Sequence, residues 1–420
     1  MFGLIGKPLI HSYSQWIHEK LTNQPYQLWE VDDLATFFAQ ESFIGCNVTH
    51  PYKKSVMAFC DELDEIATRC QNVNTVVRRN GVVRGYNTDY YGLAFLMDYH
   101  ELDLKGKHVV ILGSGGAAQT AHVLLQDLGA RVTMLSRKPK EGVLPYSAFG
   151  SLEGVDGVIH ATPVGTSPNE AAKPVIDISL QPQTQWVIDL VYNPRRTNLM
   201  IEAELLGMRA VSGLIMLLAQ ALKAAELFHQ TTYPESWIIQ TALQQMKSST
   251  NIVFIGMPLS GKSTVAKVVA QYLNKGLADI DQLIEEHMEK SIPDIFAKEG
   301  ETAFRSYETQ MVDMVAKERG LVIATGGGVV MNEANIRALK RHGVLVYLDV
   351  SLDLLLSQPM TGRPLLQEEG ALLSLYELRY PRYMHYADII LKRESFEEDA
   401  VLYTLKEALD AYFASTWSKS

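Results

Sequence analysis

The sequence predicts an α/β protein of at least two domains. Its 420 residues exceed what one hydrophobic core usually holds, since one domain per ~150 residues is the ordinary expectation. Apolar strand candidates alternate with helical stretches, a pattern that favours parallel sheets covered by helices. Two of the strands run into glycine-rich turns that lead directly into helices. These turns predict two separate phosphate-binding sites.

Charge and cysteine content exclude several classes of function. The formal net charge of -10 leaves no basic surplus to displace counterions from nucleic acid. Three cysteines without a CxxC pair suggest neither a disulfide framework nor a zinc ribbon. The apolar stretch Gly213 to Leu222 is shorter than the ~20 residues of a membrane helix, and the first residues lack the basic region of a signal peptide. We therefore expect a cytoplasmic protein acting on small molecules, with no nucleic acid, no membrane and no obligate protein partner.

Short apolar runs place the elements of the first domain. Strand candidates before residue 100 are Leu4-Ile5, Cys46 to Val48 and Thr75 to Val77. The strand His108 to Leu112, the helix Ala117 to Leu128 and the strand Arg131 to Leu135 then form a βαβ unit.

The turn inside this unit carries a dinucleotide fingerprint. Gly113-Ser114-Gly115-Gly116-Ala117-Ala118 has the form GxGxxA, in which glycines let the backbone approach a pyrophosphate at the helix N-terminus. We expect cofactor contacts from Gly113, Gly115, Gly116 and Ala117. The next strand ends in Ser136-Arg137-Lys138, where no carboxylate is present to bind ribose hydroxyls. A hydroxyl and two cations suit a 2'-phosphate, so NADP(H) is favoured over NAD(H).

Polar motifs surround this fingerprint in a family-specific order. They are Ser12-Tyr13-Ser14, Asn47-Val48-Thr49-x-Pro51-x-Lys53, Asn74-Thr75, Asn87-Thr88-Asp89, Ala161-Thr162 and Gly213-Leu214-Ile215-Met216-Leu217-x-x-Gln220. In this order, residues 1 to 246 resemble the shikimate dehydrogenase family. The resemblance implies NADPH-dependent reduction of 3-dehydroshikimate to shikimate. It also implies two lobes, a substrate lobe of about residues 1–100 plus C-terminal helices and an NADP lobe of about 101–215.

The same resemblance implies roles for individual residues. Lys53 and Asp89 form the catalytic pair, in which the lysine assists proton transfer at the reacting oxygen and the aspartate orients it. Ser12 and Ser14 bind the substrate carboxylate. The ring hydroxyls are held by Thr49, Asn74, Asn87 and Gln220, and Thr162 and Gly213 line the cofactor. Such a set fits a small polyol acid, which is recognised by many placed hydrogen bonds.

The chain departs from the family pattern at four places. It is shorter between Leu21 and Asn47, Gln15 stands where proline is usual, Gln71-Asn72 stand where Gly-Ala is usual, and His160 replaces asparagine. We expect His160 to be structural or to line the cofactor. Two alternatives stay open: a dehydrogenase acting on a related acid such as quinate, and a non-catalytic sensing module.

A second domain begins after a polar segment. Lys247-Ser248-Ser249-Thr250-Asn251 lies between a helical stretch, Ser236 to Met246, and an apolar strand, Ile252 to Ile255. This predicts a linker at 247–251 joining domains at 1–246 and 252–420.

The second glycine-rich turn is a phosphate loop. Gly256-Met257-Pro258-Leu259-Ser260-Gly261-Lys262-Ser263-Thr264 satisfies GxxxxGK[ST] and precedes a helical stretch. Backbone N–H groups of such a loop cradle phosphates, the lysine reaches the β and γ groups, and the serine hydroxyl ligates magnesium. ATP and Mg²⁺ are therefore predicted at Gly256, Gly261, Lys262, Ser263 and Thr264.

Carboxylates and arginines follow the loop. Asp279-Ile280-Asp281 alternates two carboxylates on one face of an extended segment, so one can hold magnesium while the other meets an acceptor hydroxyl. Further motifs are Phe304-Arg305, Gly326-Gly327-Gly328, Gly362-Arg363-Pro364-Leu365-Leu366 and Arg379. With this set, residues 251 to about 415 resemble shikimate kinase.

This second resemblance again implies roles. Asp279 lies near magnesium, Asp281 meets the acceptor hydroxyl, Arg305 and Arg379 bind the shikimate carboxylate, Gly327 and Gly328 face its ring, and Arg363 belongs to a closing lid. The expected fold is a two-lobed dehydrogenase with a Rossmann-type NADP domain, followed by a P-loop NMP-kinase-like parallel-sheet domain. Because the product of the first reaction is the substrate of the second, we expect a bifunctional enzyme using NADP(H), ATP and Mg²⁺.

Overall fold

The computed structural model describes residues 1–9, 12–40, 42–359, 364–366 and 370–415. They form two compact units, the first spanning Met1–Leu243 and the second beginning at Gln244. Within these described ranges, no helix combines the length and apolar character needed to cross a membrane.

The first sheet of the first unit is mixed. Its strands and the helices between them are β1 (Phe2–Gly6), α1 (Ser14–Thr22), β2 (Gln27–Glu30), α2 (Leu34–Ala39), β3 (Gly45–Val48), β4 (Glu62–Leu63), α3 (Glu65–Cys70), β5 (Thr75–Arg79) and β6 (Val82–Tyr86). The strand order is β2-β1-β3-β5-β6-β4. β1 is parallel to β2 and β3, whereas β5 is antiparallel to β3 and β6. Because β1 and β3 are parallel neighbours, their carboxyl ends meet at one edge of the sheet.

The second sheet of the first unit is parallel. Its elements are α4 (Thr88–Tyr99), β7 (His108–Leu112), α5 (Gly116–Asp127), β8 (Arg131–Ser136), β9 (Val143–Pro145), β10 (Gly157–His160), β11 (Trp186–Asp189), α6 (Asn198–Leu205), β12 (Arg209–Ser212) and α7 (Leu214–His229). The strand order is β12-β11-β10-β7-β8-β9. All five residues of β7 are buried, as expected of a central parallel strand. The βαβ unit predicted from sequence is confirmed as β7-α5-β8.

The predicted linker does not form an irregular segment. Helix α8 (Ser236–Ser249) runs through most of it, and β13 (Asn251–Ile255) begins two residues later. The polar side chains that suggested a linker are used within the fold. The Ser249 hydroxyl donates to the Gln245 carbonyl at 2.7 Å, and the buried Asn251 amide donates to the Glu318 carbonyl at 2.9 Å.

The second unit is one parallel sheet with helices. After β13 its elements are α9 (Lys262–Leu273), β14 (Gly276–Asp279), α10 (Ile280–Met288), α11 (Ile292–Val315), β15 (Leu321–Ala324), α12 (Glu333–His342), β16 (Gly343–Val350), α13 (Leu352–Leu356), α14 (Ala371–Tyr386), β17 (Ile389–Arg393) and α15 (Glu398–Ser415). The strand order is β14-β15-β13-β16-β17, with every pair parallel. Helix α11 is interrupted at Gly300, whose φ of 84° only glycine adopts readily. The central strand β13 leads into the phosphate loop.

Candidate active sites

A lysine and an aspartate meet at the first candidate site. Lys53 lies in the loop after β3, and Asp89 lies in the first turn of α4. The Lys53 Nζ atom is 2.5 Å from Asp89 Oδ2. The Asp89 side chain is 8% exposed and that of Lys53 is 24% exposed, so the ammonium is the member that solvent or a ligand can reach. The two residues predicted to be catalytic are thus brought together.

The second oxygen of Asp89 is held by an amide. Asn74 donates through Nδ2 to Asp89 Oδ1 at 2.9 Å, while its Oδ1 accepts from the Thr88 backbone N–H at 2.7 Å. Gln220 of α7 lies beside them, with Oε1 3.4 Å from Asn74 Nδ2. The structure shows Asn74 orienting Asp89, and its predicted contact with a substrate ring stays a prediction.

The residues predicted to bind the substrate carboxylate and a ring hydroxyl lie at the neighbouring sheet edge. Ser12 and Ser14 follow β1, and the Ser14 N–H donates to Ser12 Oγ at 3.2 Å. Thr49 follows β3, where its N–H donates to the Ile5 carbonyl at 2.9 Å. A Cβ at Gly6 would overlap the Thr49 methyl group, so glycine at the end of β1 lets the two strand ends approach.

The predicted fingerprint turn is shaped for close approach to a ligand. Gly113 has a φ of 127°, and a Cβ there would lie 2.9 Å from the Ala161 carbonyl oxygen. A Cβ at Gly115 would meet nothing within 4 Å, which leaves open space directly before Gly116 and Ala117 in the first turn of α5. Free N–H groups at a helix start favour an anion there, so the turn fits a pyrophosphate.

The end of β8 lies against this turn. Ser136 is buried, and its hydroxyl is 3.1 Å from the Ser114 hydroxyl, while it also accepts from the Lys138 N–H at 3.3 Å. Arg137 and Lys138 are exposed immediately after it. Two accessible cations beside the fingerprint fit the 2'-phosphate of NADP.

Two further predicted cofactor residues lie at strand ends of the same sheet. His160 Nε2 is 2.5 Å from Thr162 Oγ1, and its Nδ1 is 2.9 Å from Asp189 Oδ1. His160 is buried and its two ring nitrogens contact Thr162 and Asp189, so its contacts in this structure hold Thr162 in place. A Cβ at Gly213 would overlap the Leu190 carbonyl, so glycine is required where the chain enters α7. These observations agree with the structural interpretation of His160.

The second candidate site is built on the phosphate loop. Leu259 (φ 70°) and Gly261 (φ 80°) both adopt left-handed conformations, which turn successive N–H groups into an anion-binding concavity. Lys262 is buried, and its Nζ donates to the carbonyls of Gly256 at 3.0 Å and Met257 at 2.8 Å. Ser263 and Thr264 are exposed in the first turn of α9, where a magnesium–phosphate group can reach them.

The extended segment predicted at 279–281 is wrong. Asp279 ends β14 and caps α10, because its Oδ1 accepts from the Asp281 N–H at 3.1 Å, and Asp281 already lies in the helix. Capping is a common use of aspartate, and it places the two carboxylates on different elements. Asp281 Oδ1 lies 2.9 Å from the position a Cβ would take at Gly326.

Arg305 is held by two glutamates that the sequence analysis missed. Its Nη1 donates to Glu308 Oε2 and its Nη2 to Glu301 Oε1, each at 3.0 Å. Glu301 is half exposed, whereas Glu308 is buried and burial raises its pKa, an effect that Arg305 opposes. A Cβ at Gly328 would overlap the Arg305 guanidinium. The spacing of three and four residues on one helix was the available signal.

A tyrosine connects the phosphate loop to the glycine turn. The Tyr383 hydroxyl of α14 lies 2.9 Å from the Gly256 carbonyl oxygen and 2.5 Å from that of Gly327, so the two carbonyls share its one proton. Burial raises the pKa of Tyr383. Arg379 lies one turn earlier and is also buried, which lowers its pKa. Arg363, predicted on a lid, lies outside the described residues.

Comparisons with known proteins find relatives of both units. The family model of the shikimate dehydrogenase substrate binding domain matches residues 4–76, and that of shikimate kinase matches residues 258–410. The NADP(+)-dependent shikimate dehydrogenase of Thermoplasma acidophilum is 34% identical over 242 residues, covering 54% of this chain and 89% of that protein.

Solved structures are similar over the same part of the chain. Shikimate dehydrogenase 1 from Peptoclostridium difficile is 31% identical with a TM-score of 0.55, covering 58% of this chain and 97% of that one. Shikimate 5-dehydrogenase from Thermus thermophilus, in complex with NADP(H) and shikimate, is 27% identical with a TM-score of 0.52, covering 58% and 98%.

Proposed function

Because the chain belongs to the shikimate dehydrogenase family in its first unit and carries a shikimate kinase domain in its second, we propose that it catalyses two consecutive reactions. The first is reduction of 3-dehydroshikimate to shikimate with NADPH. The second is phosphorylation of shikimate to shikimate 3-phosphate with MgATP. Bound NADPH supplies the hydride, and bound MgATP supplies the phosphoryl group.

The Lys53–Asp89 pair is the main observation that supports the first reaction. Reduction of a ketone leaves an alkoxide that must take up a proton, and a positioned ammonium donates it. Asp89 holds Lys53 at 2.5 Å, and Asn74 fixes the other carboxylate oxygen at 2.9 Å, so the ammonium has one defined direction. Lys53 also lies next to the cofactor turn, since its Cδ is 3.5 Å from the position of a Cβ at Gly116.

The remaining groups of the first site recognise substrate and cofactor. In this proposal Ser12 and Ser14 bind the carboxylate, and ring hydroxyls are held by Thr49, Asn74, Asn87 and Gln220. The pyrophosphate meets Gly113, Gly115, Gly116 and Ala117, the 2'-phosphate meets Ser136, Arg137 and Lys138, and Thr162 and Gly213 line the cofactor further along. The open space at Gly115 and the two exposed cations support this assignment.

The second reaction uses the phosphate loop and the arginine cluster. Asp281 accepts the proton of the attacking hydroxyl, Arg305 and Arg379 hold the carboxylate, and Gly327 and Gly328 face the ring. Lys262, with Gly256, Gly261 and Thr264, holds the phosphates, while Ser263 and Asp279 hold magnesium. Arg363 belongs to the lid. A Cβ at Gly326 would lie 2.7 Å from Glu308 Oε1 and 2.9 Å from Asp281 Oδ1, and one at Gly327 would lie 2.8 Å from Pro258 Cδ of the phosphate loop. These close approaches support a single acceptor pocket.

A coupled assay tests both reactions. The purified chain is given 3-dehydroshikimate, NADPH, ATP and magnesium, each omitted in turn, while NADPH absorbance is followed and acid products are identified by mass. We expect NADPH consumption without ATP, and shikimate 3-phosphate only with ATP. Turnover of quinate with NADP⁺ at a higher kcat/KM than shikimate would assign the first unit to the related acid, and loss of the first step alone would favour a sensing module.

A further inference from the structure

A buried polar junction ties helix α5 to the substrate side of the first unit. Asn87 donates through Nδ2 to Asn72 Oδ1 at 2.9 Å and to Thr120 Oγ1 at 3.0 Å. Asn72 in turn donates through Nδ2 to the Gly116 carbonyl at 3.3 Å. Asn72 is 2% exposed, Asn87 5% and Thr120 0%. Because water does not reach these groups, breaking their hydrogen bonds leaves buried polar atoms unpaired at a cost in free energy.

The junction adjoins the reacting groups on both sides. Gly116 begins the helix that receives the cofactor pyrophosphate, and a Cβ there would lie 3.5 Å from both Asn72 Oδ1 and Lys53 Cδ. The residue after Asn72 also fixes the catalytic loop, since the Val73 N–H donates to the Lys53 carbonyl at 2.8 Å. Asn72 therefore touches the cofactor helix while its neighbour holds Lys53.

The opposite end of α5 is held differently. Asp127 accepts from Arg69 and, at 2.7 Å, from the Tyr90 hydroxyl, but Arg69 and Asp127 are 39% and 30% exposed. Exposed ion pairs contribute little to fixing a geometry, whereas buried amide networks are costly to break. The N-terminal end of α5, where the cofactor binds, is thus the firmly attached end.

We propose that Asn72 is a positioning residue for hydride transfer. Through Asn87, Thr120 and the Gly116 carbonyl it sets the separation between the cofactor helix and the loop that carries Lys53. This proposal rests on the reductase function proposed above. Small errors in the alignment of reacting atoms lower the rate of the chemical step more than they weaken binding.

The test compares Asn72→Ala, Thr120→Val and Thr120→Ser in the full chain. We expect Asn72→Ala and Thr120→Val to lower reductase kcat about tenfold, with KM for 3-dehydroshikimate changed less than about twofold. The primary isotope effect with NADPH deuterated at the transferred hydrogen should rise, because hydride transfer becomes slower relative to product release. Thr120→Ser keeps the hydroxyl and should restore kcat and the isotope effect.

The kinase activity of the same polypeptide measures its concentration in every preparation. Fluorescence of the four tryptophans of the first unit measures whether that unit is folded. Gln126→Ala, at an exposed position of α5, is the matched control and should leave both activities unchanged. Unchanged kcat and isotope effect in Asn72→Ala and Thr120→Val would overturn the proposal. If Asn72→Ala fails to fold, equal kcat in the valine and serine variants at 120 would overturn it. A wild-type chain without reductase activity would overturn the proposed function itself and this role with it.

Discussion

The two candidate sites differ in what their charged groups contact. In the first unit, Lys53 is paired with Asp89, which is the partner that its proposed chemistry requires. In the second unit, Lys262 bonds to carbonyls of its own loop, and Arg305 bonds to Glu301 and Glu308. The first site is thus organised before ligands arrive, whereas ligands of the second site must displace protein partners.

This difference has a physical cause in the ligands. A lysine that donates one proton needs a fixed direction, which a carboxylate and an amide provide. The triphosphate brings negative charge to Lys262 and the acceptor carboxylate brings it to Arg305, and such cations must be stabilised without these ligands when they are buried. Carbonyl oxygens and glutamates serve this purpose for Lys262 and Arg305. The predictions below test this comparison by removing one group at a time.

Removing the organised pair should have the largest effect. In Lys53→Ala we expect reductase kcat to fall about 10³-fold, since general acid catalysis typically contributes 10²–10⁴-fold. The kinase rate of the same chain should not change, because the pair lies in the other unit. The exposed neighbour Lys54→Ala is the matched control. A reductase rate within about threefold of wild type in Lys53→Ala would disprove the role of the pair.

Removing the loop lysine should act on the other reaction. In Lys262→Ala we expect shikimate phosphorylation to fall about 10²- to 10³-fold, as for loss of one group that stabilises transition-state charge. Reductase turnover, measured on the same sample by NADPH absorbance, should be unchanged. Lys267→Ala, exposed on the same helix, is the control. An equal loss of both activities would indicate instead that Lys262 supports the fold.

Sequence patterns predicted the parts of both sites that depend on local spacing. The β7-α5-β8 unit and the phosphate loop each consist of a strand, a turn and a helix that are contiguous in sequence, so their patterns are visible. Contacts between distant segments were not predictable in this way. Asn72 and Gly116 are 44 positions apart, and only the fold brings them together.

Errors arose where one residue type has two uses. The alternation of Asp279 and Asp281 predicted an extended pair with a shared face, but the first caps a helix and the second lies in the first turn of that helix. Ser248 and Ser249 suggested an irregular linker, yet both hydroxyls donate to the Gln245 carbonyl within α8. Polar residues whose side chains form hydrogen bonds with the backbone of their own helix cannot be distinguished from loop residues by composition.

The polar interior of the first unit should also make it sensitive to acid. Burial lowers the pKa of His18 to about 3 and that of His100 to about 4. Each histidine takes up a proton near pH 6.5 when unfolded but not when folded, so stability present above pH 6.5 is lost as pH falls toward 3 to 4. At pH 5 each should cost about 2 kcal/mol of unfolding free energy.

Urea unfolding followed by tryptophan fluorescence tests this, because four of the five tryptophans, Trp16, Trp29, Trp186 and Trp237, belong to the first unit. His18→Phe keeps the aromatic stacking on Tyr26, whose ring is 4.2 Å away, and should lose about 2 kcal/mol less than wild type between pH 7.5 and pH 5. His50→Phe, at an exposed position, is the control. Identical losses in His18→Phe and wild type would exclude His18 as a source of the acid sensitivity.

The smallest expected effect tests whether the two glutamates compete with the shikimate carboxylate for Arg305. Glu301 is half exposed and shares Arg305 with the buried Glu308, so Glu301→Gln should free part of the guanidinium at little cost to the fold. We expect KM for shikimate in the kinase reaction to fall about twofold, which corresponds to the fraction of a kcal/mol typical of an exposed ion pair. Glu318→Gln changes the charge equally at an exposed position outside the cluster and should leave KM unchanged. A higher KM in Glu301→Gln would mean that Glu301 positions Arg305 for the carboxylate, and the second site would then be organised before ligands arrive, as the first one is.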